Sequence, residues 1–298
     1  MSKNKLITYA SISIAVILWG LSFIWTNSII KTSVPVFTFI FLRMFIAGVS
    51  LFVVSKLTKK LQKIEKKDIK WFLLLVFFEP FIYFIGETLG IKYTNSPTVS
   101  ALVIALIPVL TMIVSSMFFS EKLTFAKVTG ALMTFIGIAI MVVFKGEISV
   151  DYQWGIALLF AAVIGAVGWS SVVKKLSTKY NPFTIATYQF MLGAVYFLPV
   201  FLFTNNGYQL SLLLRIDFIL PLLALAILCS CLAFSLYILS IKEIGLTQTA
   251  VFVALIPAVS ALTSHLLGIE IISWVELIGI IVVITGVIIV QELKLFKR

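Results

Sequence analysis

Long apolar runs, separated by short polar clusters, follow one another along the whole chain. Each run has about 20 residues, the length that a helix needs to cross the hydrocarbon core of a bilayer. Proline stands near the start of several runs, where a helix tolerates it because the first turn needs no backbone N–H. The pattern predicts ten membrane-spanning helices, at about 7–30, 35–56, 70–90, 98–119, 124–144, 152–174, 182–204, 216–241, 248–268 and 274–292.

Composition narrows the class of protein further. The chain is 61% hydrophobic and 12% charged, whereas soluble domains have about 25% charged residues. The sequence therefore predicts an all-α integral membrane protein whose loops are too short to hold a soluble domain. One His and two Cys favour neither a metal site nor a cofactor. There is no Gly-rich phosphate loop, and we expect neither an enzyme nor a nucleic-acid-binding protein.

The positive charges predict the orientation in the membrane, because Lys and Arg resist translocation. With the N-terminus inside, eighteen of the 23 Lys and Arg residues lie on the cytoplasmic side and one, Arg43, lies within a span. The outer loops contain only Lys31, Lys92, Lys145 and Arg215. We expect a bacterial-type cytoplasmic (inner) membrane protein with both termini in the cytoplasm.

The chain is internally duplicated. Ala105-Leu-Ile-Pro108 recurs as Ala254-Leu-Ile-Pro257. The same offset relates Glu121 to Glu270, Gly130 to Gly279 and Gly137 to Gly286. The sequence therefore predicts two five-helix repeats, residues 1–147 and 148–298. Because five is odd, the second repeat enters the membrane from the opposite side. Inverted repeats are typical of secondary transporters; a duplicated scaffold without transport is the alternative.

A family resemblance is carried by motifs in both halves. They are Trp19-Gly-Leu-Ser-Phe23, Phe39-Ile-Phe-Leu-Arg43, Pro108, Ser120-Glu-Lys-Leu-Thr124, Gly130 and Gly137, and then Pro257, Gly268-Ile-Glu270, Gly279 and Gly286. Together they resemble two tandem EamA domains of the drug/metabolite transporter superfamily. The resemblance implies ten helices, cytoplasmic termini and movement of small metabolites or drugs, often outward and often amino acids. The second half has no Arg where Arg43 would repeat, and Gln189 lies near that place.

Several ionisable residues fall inside the predicted spans, where an unpaired charge is costly. Helix rise places Arg43 roughly 12 Å from the outer end of the second helix and Glu79 about 13 Å from the inner end of the third. Depth alone therefore allows them to pair, either as a structural lock or as part of a site. Glu87 and His265 fall near outer helix ends, where hydration without function is the simpler expectation. Glu79, Glu87 and His265 are the candidates for proton coupling.

A candidate binding site follows from these positions. Glu79, Tyr83 and Glu87 are spaced by four residues, so they share one helix face. Arg43 could hold the carboxylate of an amino acid and Glu79 its ammonium group. The other candidates for substrate binding or translocation are Trp19, Ser22, Trp169, Tyr188 and Gln189.

Prolines inside three spans predict hinges. Pro80 follows Glu79 directly, and Pro108 and Pro257 interrupt the fourth and ninth helices at equivalent places. Paired interruptions in two repeats point to a midplane binding site, although a fixed kink for packing is the alternative. We expect Glu121 and Glu270 to cap the helices that follow them, and the four repeated glycines to be close-packing positions.

The sequence as a whole predicts a secondary transporter that moves a small organic metabolite by alternating access, and favours export of an amino acid or a related compound. Its partners would be the bilayer, the substrate and, in a coupled mechanism, protons. A multidrug or cationic-compound exporter is the main alternative, and a receptor or scaffold without transport is a weaker one. The sequence does not fix the oligomeric state.

Overall fold

The computed structural model describes residues 3–119, 124–144, 149–204 and 210–290, and all regular structure in these ranges is helical. Ten long helices make up these ranges, together with one short 3-10 helix at Leu210–Leu214. The ten are α1 (Lys3–Ile30), α2 (Val36–Leu57), α3 (Lys66–Thr94), α4 (Pro97–Phe118), α5 (Phe125–Phe144), α6 (Val150–Leu176), α7 (Pro182–Thr204), α8 (Ile216–Ile244), α9 (Leu246–Leu266) and α10 (Trp274–Val290).

Eight of these helices are long and apolar enough to cross a membrane. The other two, α5 and α10, contain shorter apolar stretches at Val128–Gly137 and Trp274–Gly286. Large apolar side chains cover much of the outer surface, which suits contact with lipid. The predicted all-α membrane fold built from two five-helix repeats is confirmed.

Contacts between helices repeat from one half of the chain to the other. Helix α1 packs against α8 and α9, and the equivalent helix α6 packs against α3 and α4. Helix α2 pairs with its own equivalent α7, and α5 pairs with its equivalent α10. Two halves related by a pseudo-twofold axis give this pattern of contacts.

Glycines allow α5 and α10 to approach closely. A Cβ atom at Gly137 would lie 2.9 Å from the carbonyl oxygen of Gly279, and one at Gly286 would lie 2.6 Å from that of Gly130. Since real Cβ atoms do not come this close to a backbone, neither position accepts a side chain without a shift. The predicted close-packing role is therefore confirmed for Gly137 and Gly286, and for Gly130 and Gly279 it stays a prediction.

Four helices are irregular in the middle of the bundle. In α3 the segment Phe77–Ile82 widens into a π-helix, and Glu79 has non-helical backbone angles. In α8 the segment Ala224–Ala233 is also a π-helix. Helix α4 is interrupted just before Pro108, and α9 narrows to a 3-10 turn at Val253–Leu255. The interruptions expected at the prolines are present, and their role as hinges stays a prediction.

Glu270 joins the two halves. Its carboxylate accepts a hydrogen bond of 3.1 Å from the backbone N–H of Thr98 and further hydrogen bonds from the Ser96 and Thr98 hydroxyls. Glu270 therefore caps α4, which belongs to the other half, whereas the sequence predicts a cap for α10. Instead, Ser273 and Glu276 form a reciprocal capping box at α10. Glu121, the equivalent of Glu270 in the first half, lies outside the described residues.

The loop that joins α2 to α3 is bound to the loop that joins α6 to α7. Lys179 Nζ lies 2.5 Å from Glu65 Oε2 and 2.6 Å from Asp68 Oδ2, and we call these three residues the loop bridge. Asn181 Nδ2 donates a hydrogen bond of 2.6 Å to the carbonyl oxygen of Lys60. These contacts close the bundle at the face where α1 begins.

Candidate functional site

A small cavity lined by residues of both halves lies in the middle of the bundle. Seven helices line it, and the irregular segments or interruptions of α3, α4 and α9 are among its walls. The lining residues are Trp19, Ser22, Arg43, Glu79, Tyr83, Phe84, Glu87, Ile104, Ile107, Ala166, Trp169, Ser170, Phe234, Tyr237, Val253 and Ile256.

The paired helix interruptions face this cavity from opposite halves. Ile104 and Ile107 flank the break in α4; of their equivalents, Val253 begins the 3-10 turn in α9 and Ile256 follows it. All four line the cavity. The repeat that was visible in the sequence therefore places two equivalent irregular segments on the walls of one central space, as in transporters built from inverted repeats.

Arg43 is held from two sides. Its Nε donates a hydrogen bond of 3.0 Å to Ser230 Oγ in the π-helical segment of α8, and its guanidinium carbon lies 4.2 Å from the centroid of the Phe84 ring. The residue is 2% exposed, and its Nη1 has no hydrogen-bond partner. In the described part of the chain, no carboxylate lies within 4.0 Å of this guanidinium, so the ion pair with Glu79 is not formed.

The carboxylates of α3 differ in their hydrogen bonds. Tyr83 donates its hydroxyl proton to Glu87 Oε1 at 3.0 Å, while Glu87 Oε2 is buried without a partner. The Glu79 carboxylate accepts no hydrogen bond from the described residues. Both glutamates are 3% exposed. The expectation that Glu87 reaches outer water is therefore wrong, because the turn of α3 directs it to the cavity that Arg43 also lines.

Aromatic rings form the largest part of the remaining wall. The Trp19 ring centroid lies 5.0 Å from that of Phe234 and 4.8 Å from that of Tyr237. Trp169 packs against the same two rings, at 5.3 and 5.7 Å. Trp169 Nε1 donates a hydrogen bond of 2.9 Å to Gln189 Oε1. The indole of Trp19 is different, because its buried N–H has no partner.

Three predicted site residues lie outside the cavity wall. Gln189 is fully buried behind Trp169, and Tyr188 packs edge-on against Phe72. His265 is exposed near the end of α9. The three prolines are not among the lining residues either, and Pro80 lies against Gly193 of α7. Ser22 lines the cavity while its hydroxyl donates to the carbonyl oxygen of Trp19 at 2.7 Å.

Sequence reasoning missed several residues that build or support the wall, among them Phe84, Ser170, Ser230, Phe234 and Tyr237. Phe234 and Tyr237 are three apart on one helix face, a signal that twenty-six phenylalanines in the chain obscure. Ser230 is a polar residue inside an apolar span, and that position alone gives no partner. Within the ranges that the structure describes, no three His, Cys, Asp or Glu side chains group as metal ligands do.

Comparison with known proteins gives a consistent family assignment. The model of the EamA-like transporter family matches the chain twice, at residues 6–143 and 153–291. An uncharacterized transporter of Archaeoglobus fulgidus is 27% identical over 94% of this chain and 96% of its own length. The uncharacterized transporter YetK of Bacillus subtilis is also 27% identical, over 96% of this chain and 87% of its own length.

Two more distant similarities complete the comparison. A probable terminal-alkyne amino-acid exporter of Streptantibioticus cattleyicolor is 22% identical over 67% of this chain and 65% of its own length. A protein of known crystal structure superposes with a TM-score of 0.72 at 21% identity, over 95% of this chain and 97% of that one. At that identity the superposition supports the fold.

Proposed function

Because the chain belongs to the EamA-like transporter family, we propose that it is a secondary transporter that exports a small organic metabolite by alternating access. The observation that carries the proposal is the central cavity, which is lined by equivalent interruptions from both halves and contains Arg43, Glu79 and Glu87. Two halves with equivalent contacts can exchange conformations, and each exchange would open the cavity to the other side of the membrane.

The proposed orientation has both termini in the cytoplasm of a bacterial-type cell. Its support is the distribution of Lys and Arg, which accumulate at the face where α1 begins. In this orientation the loop bridge lies on the cytoplasmic side. The described conformation would then be closed toward the cytoplasm, and export requires the loop bridge to separate once in each cycle.

An amino acid or a close relative is the substrate that we favour. The cavity contains a guanidinium, which suits a carboxylate, and two carboxylates, which suit an ammonium group. The similarity to a probable amino-acid exporter is distant but agrees with this choice. A zwitterion would bring both charges into the cavity with no net charge, which lowers the cost of burial.

One observation favours a second candidate, the export of organic cations. Two carboxylates and one guanidinium leave the cavity with one excess negative charge when both are ionised. The rings of Trp19, Trp169, Phe234 and Tyr237 would suit the apolar and cationic parts of such a compound.

Counterflow in proteoliposomes tests the proposal. Vesicles containing the purified protein are loaded with unlabelled L-leucine, L-lysine, L-glutamate or ethidium, and entry of the same labelled compound is measured. Leucine counterflow that disappears in Arg43→Ala supports amino-acid transport, whereas counterflow of ethidium alone supports the second candidate. Thermal stabilisation by a ligand without any counterflow would contradict transport and favour a receptor or scaffold.

A further inference from the structure

Three buried polar atoms that have no hydrogen-bond partner among the described residues belong to side chains of the same cavity: Arg43 Nη1, Trp19 Nε1 and Glu87 Oε2. We propose that these atoms bind the two charged ends of one apolar amino acid. Arg43 Nη1 and Trp19 Nε1 donate to its carboxylate, and Glu87 Oε2 accepts from its ammonium group. This inference rests on the proposed transport function and specifies the substrate class and its orientation.

The chemistry of the three atoms distinguishes them from other buried groups without partners. Most of the others are Thr or Ser hydroxyls on helices, and such a hydroxyl can turn toward a backbone carbonyl of its own helix. A guanidinium N–H, an indole N–H and a carboxylate oxygen have no such local partner. Leaving them unpaired costs free energy, and a ligand with complementary ends would recover it.

The carboxylate position is organised before a ligand arrives. Ser230 accepts from Arg43 Nε, and Phe84 lies beneath the guanidinium, so the free Nη1 has a fixed direction. Trp19 is fixed in turn by the rings of Phe234 and Tyr237. Both groups are hydrogen-bond donors only. Together they suit an anionic acceptor and would leave an amine unbound.

Glu87 rather than Glu79 is the ammonium position in this proposal. Tyr83 holds Glu87 Oε1 at 3.0 Å and thereby orients the free Oε2. Glu79 has no such support among the described residues, and it lies where the helical backbone of α3 is broken. A fixed carboxylate that already accepts one hydrogen bond is the better partner for a substrate cation, because less side-chain entropy is lost on binding.

The rest of the wall limits the substrate side chain. Ile104, Ile107, Val253 and Ile256 contribute only apolar groups from the two helix interruptions. A further charge on the ligand would be buried there without a partner, at high cost. The geometry therefore favours amino acids with apolar side chains over glutamate-like ones, whose second carboxylate would also share the cavity with Glu79 and Glu87.

Three probes of one shape test the assignment: L-leucine, 3-methylbutylamine, which lacks the carboxylate, and 4-methylpentanoate, which lacks the amine. Each competes with labelled leucine for binding to the purified full-length protein. Ser230→Ala and Trp19→Phe should weaken leucine and 4-methylpentanoate about tenfold, the effect of a lost charge-assisted hydrogen bond, and leave 3-methylbutylamine unchanged. Glu87→Gln should weaken leucine and the amine and spare the acid.

Matched variants separate binding from folding. Ser235→Ala removes a hydroxyl of the same helix that donates to the carbonyl oxygen of Cys231, 2.7 Å away, and should bind all three probes normally. Ser230→Thr, which keeps a hydroxyl, should restore leucine affinity. The inference would be overturned if Ser230→Ala lowered the affinity for all three probes equally, or if Glu87→Gln bound leucine normally. Either result would count even if counterflow persisted. Absence of counterflow in the wild-type protein would instead overturn the proposed function.

Discussion

Gly137 of α5 lies directly against Gly279 of α10, so close that a Cβ atom on the first would be 2.9 Å from the carbonyl oxygen of the second. The equivalent contact joins Gly286 to Gly130 with the roles of the helices exchanged. Reciprocal contacts of this kind are the residue-level sign of pseudo-twofold packing. They also make the α5/α10 interface sensitive to a single added methyl group.

Gly286→Ala should destabilise the protein by about 1–3 kcal/mol, the usual cost of overpacking. The added Cβ would meet the carbonyl oxygen of Gly130 and the backbone nitrogen of Thr134, each 2.6 Å away. The apparent melting temperature of the detergent-purified protein is the measurement. Ile281→Ala on the exposed side of α10 is the control. An unchanged melting temperature in Gly286→Ala would contradict the described interface.

Glu79→Gln should abolish uptake driven by a pH gradient and leave counterflow intact. The Glu79 carboxylate accepts no hydrogen bond from the described residues and shares its cavity with a second carboxylate. A proton on Glu79 would neutralise a charge inside the membrane, and we therefore expect Glu79 to carry the coupled proton. Counterflow and gradient-driven uptake are compared in the same vesicles, with Glu243→Gln at the exposed end of α8 as the control. Gradient-driven uptake that survives in Glu79→Gln would remove Glu79 from proton coupling.

Lys179→Met should favour the conformation that is open at the loop bridge. Lys179 contacts both Glu65 and Asp68 across the two loops. A Ser170→Cys reporter in a variant without Cys229 and Cys231 would then be labelled faster by a polar thiol reagent applied from that side. Lys63→Met, in the loop that joins α2 to α3, should have no effect. Equal labelling rates in both lysine variants would show that the loop bridge does not control access.

Acidification should weaken the same loop bridge. The hydrogen bond from Lys179 lowers the pKa of Glu65, so ionised Glu65 favours the bridged form. This contribution is fully present above the ordinary pKa of a glutamate and is lost as the pH falls through the lowered value. The labelling rate of the Ser170→Cys reporter should therefore rise in acid, and the rise should be smaller in the Lys179→Met background. Acid-induced rises of equal size in both backgrounds would assign the pH effect to other groups.

Glu270→Ala should reduce stability by about 0.5–2 kcal/mol, the range for a lost helix cap. The variant leaves the N–H of Thr98 and the hydroxyls of Ser96 and Thr98 without their acceptor in the other half. Thermal unfolding in detergent measures the effect, and Glu243→Ala serves as the matched control. A melting temperature as high as that of the control would mean that water replaces the carboxylate without loss.

Features that depend on order along the chain could be predicted from the sequence. Span length, the offset of 149 residues between equivalent landmarks and the positions of Pro108 and Pro257 are one-dimensional facts. Because the bilayer thickness and the helix rise are fixed, these facts convert directly into spans, repeats and depths. The glycines at the α5/α10 contact belong to the same class.

Features that depend on the rotation of a helix about its axis could not be predicted from the sequence. Arg43 and Glu79 line one cavity, yet Arg43 turns to Ser230, which is 187 positions away in sequence. Glu87 was expected in water because of its depth, but the direction of its side chain places it in the cavity. Tyr188 and Gln189 do not line the cavity for the same reason, since packing decides which face of α7 is inward.

The cap that Glu270 provides for α4 has a consequence for biogenesis. The first half leaves the ribosome before Glu270 and the glycines of α10 have been made, so it waits in the membrane with only Ser96 to cap α4 and with an unpaired α5. The packing of the first half is completed only late in synthesis, when the last two helices insert and supply both partners. Residues 1–147 and 148–298, expressed as separate chains, should accordingly accumulate only when they are made in the same cell.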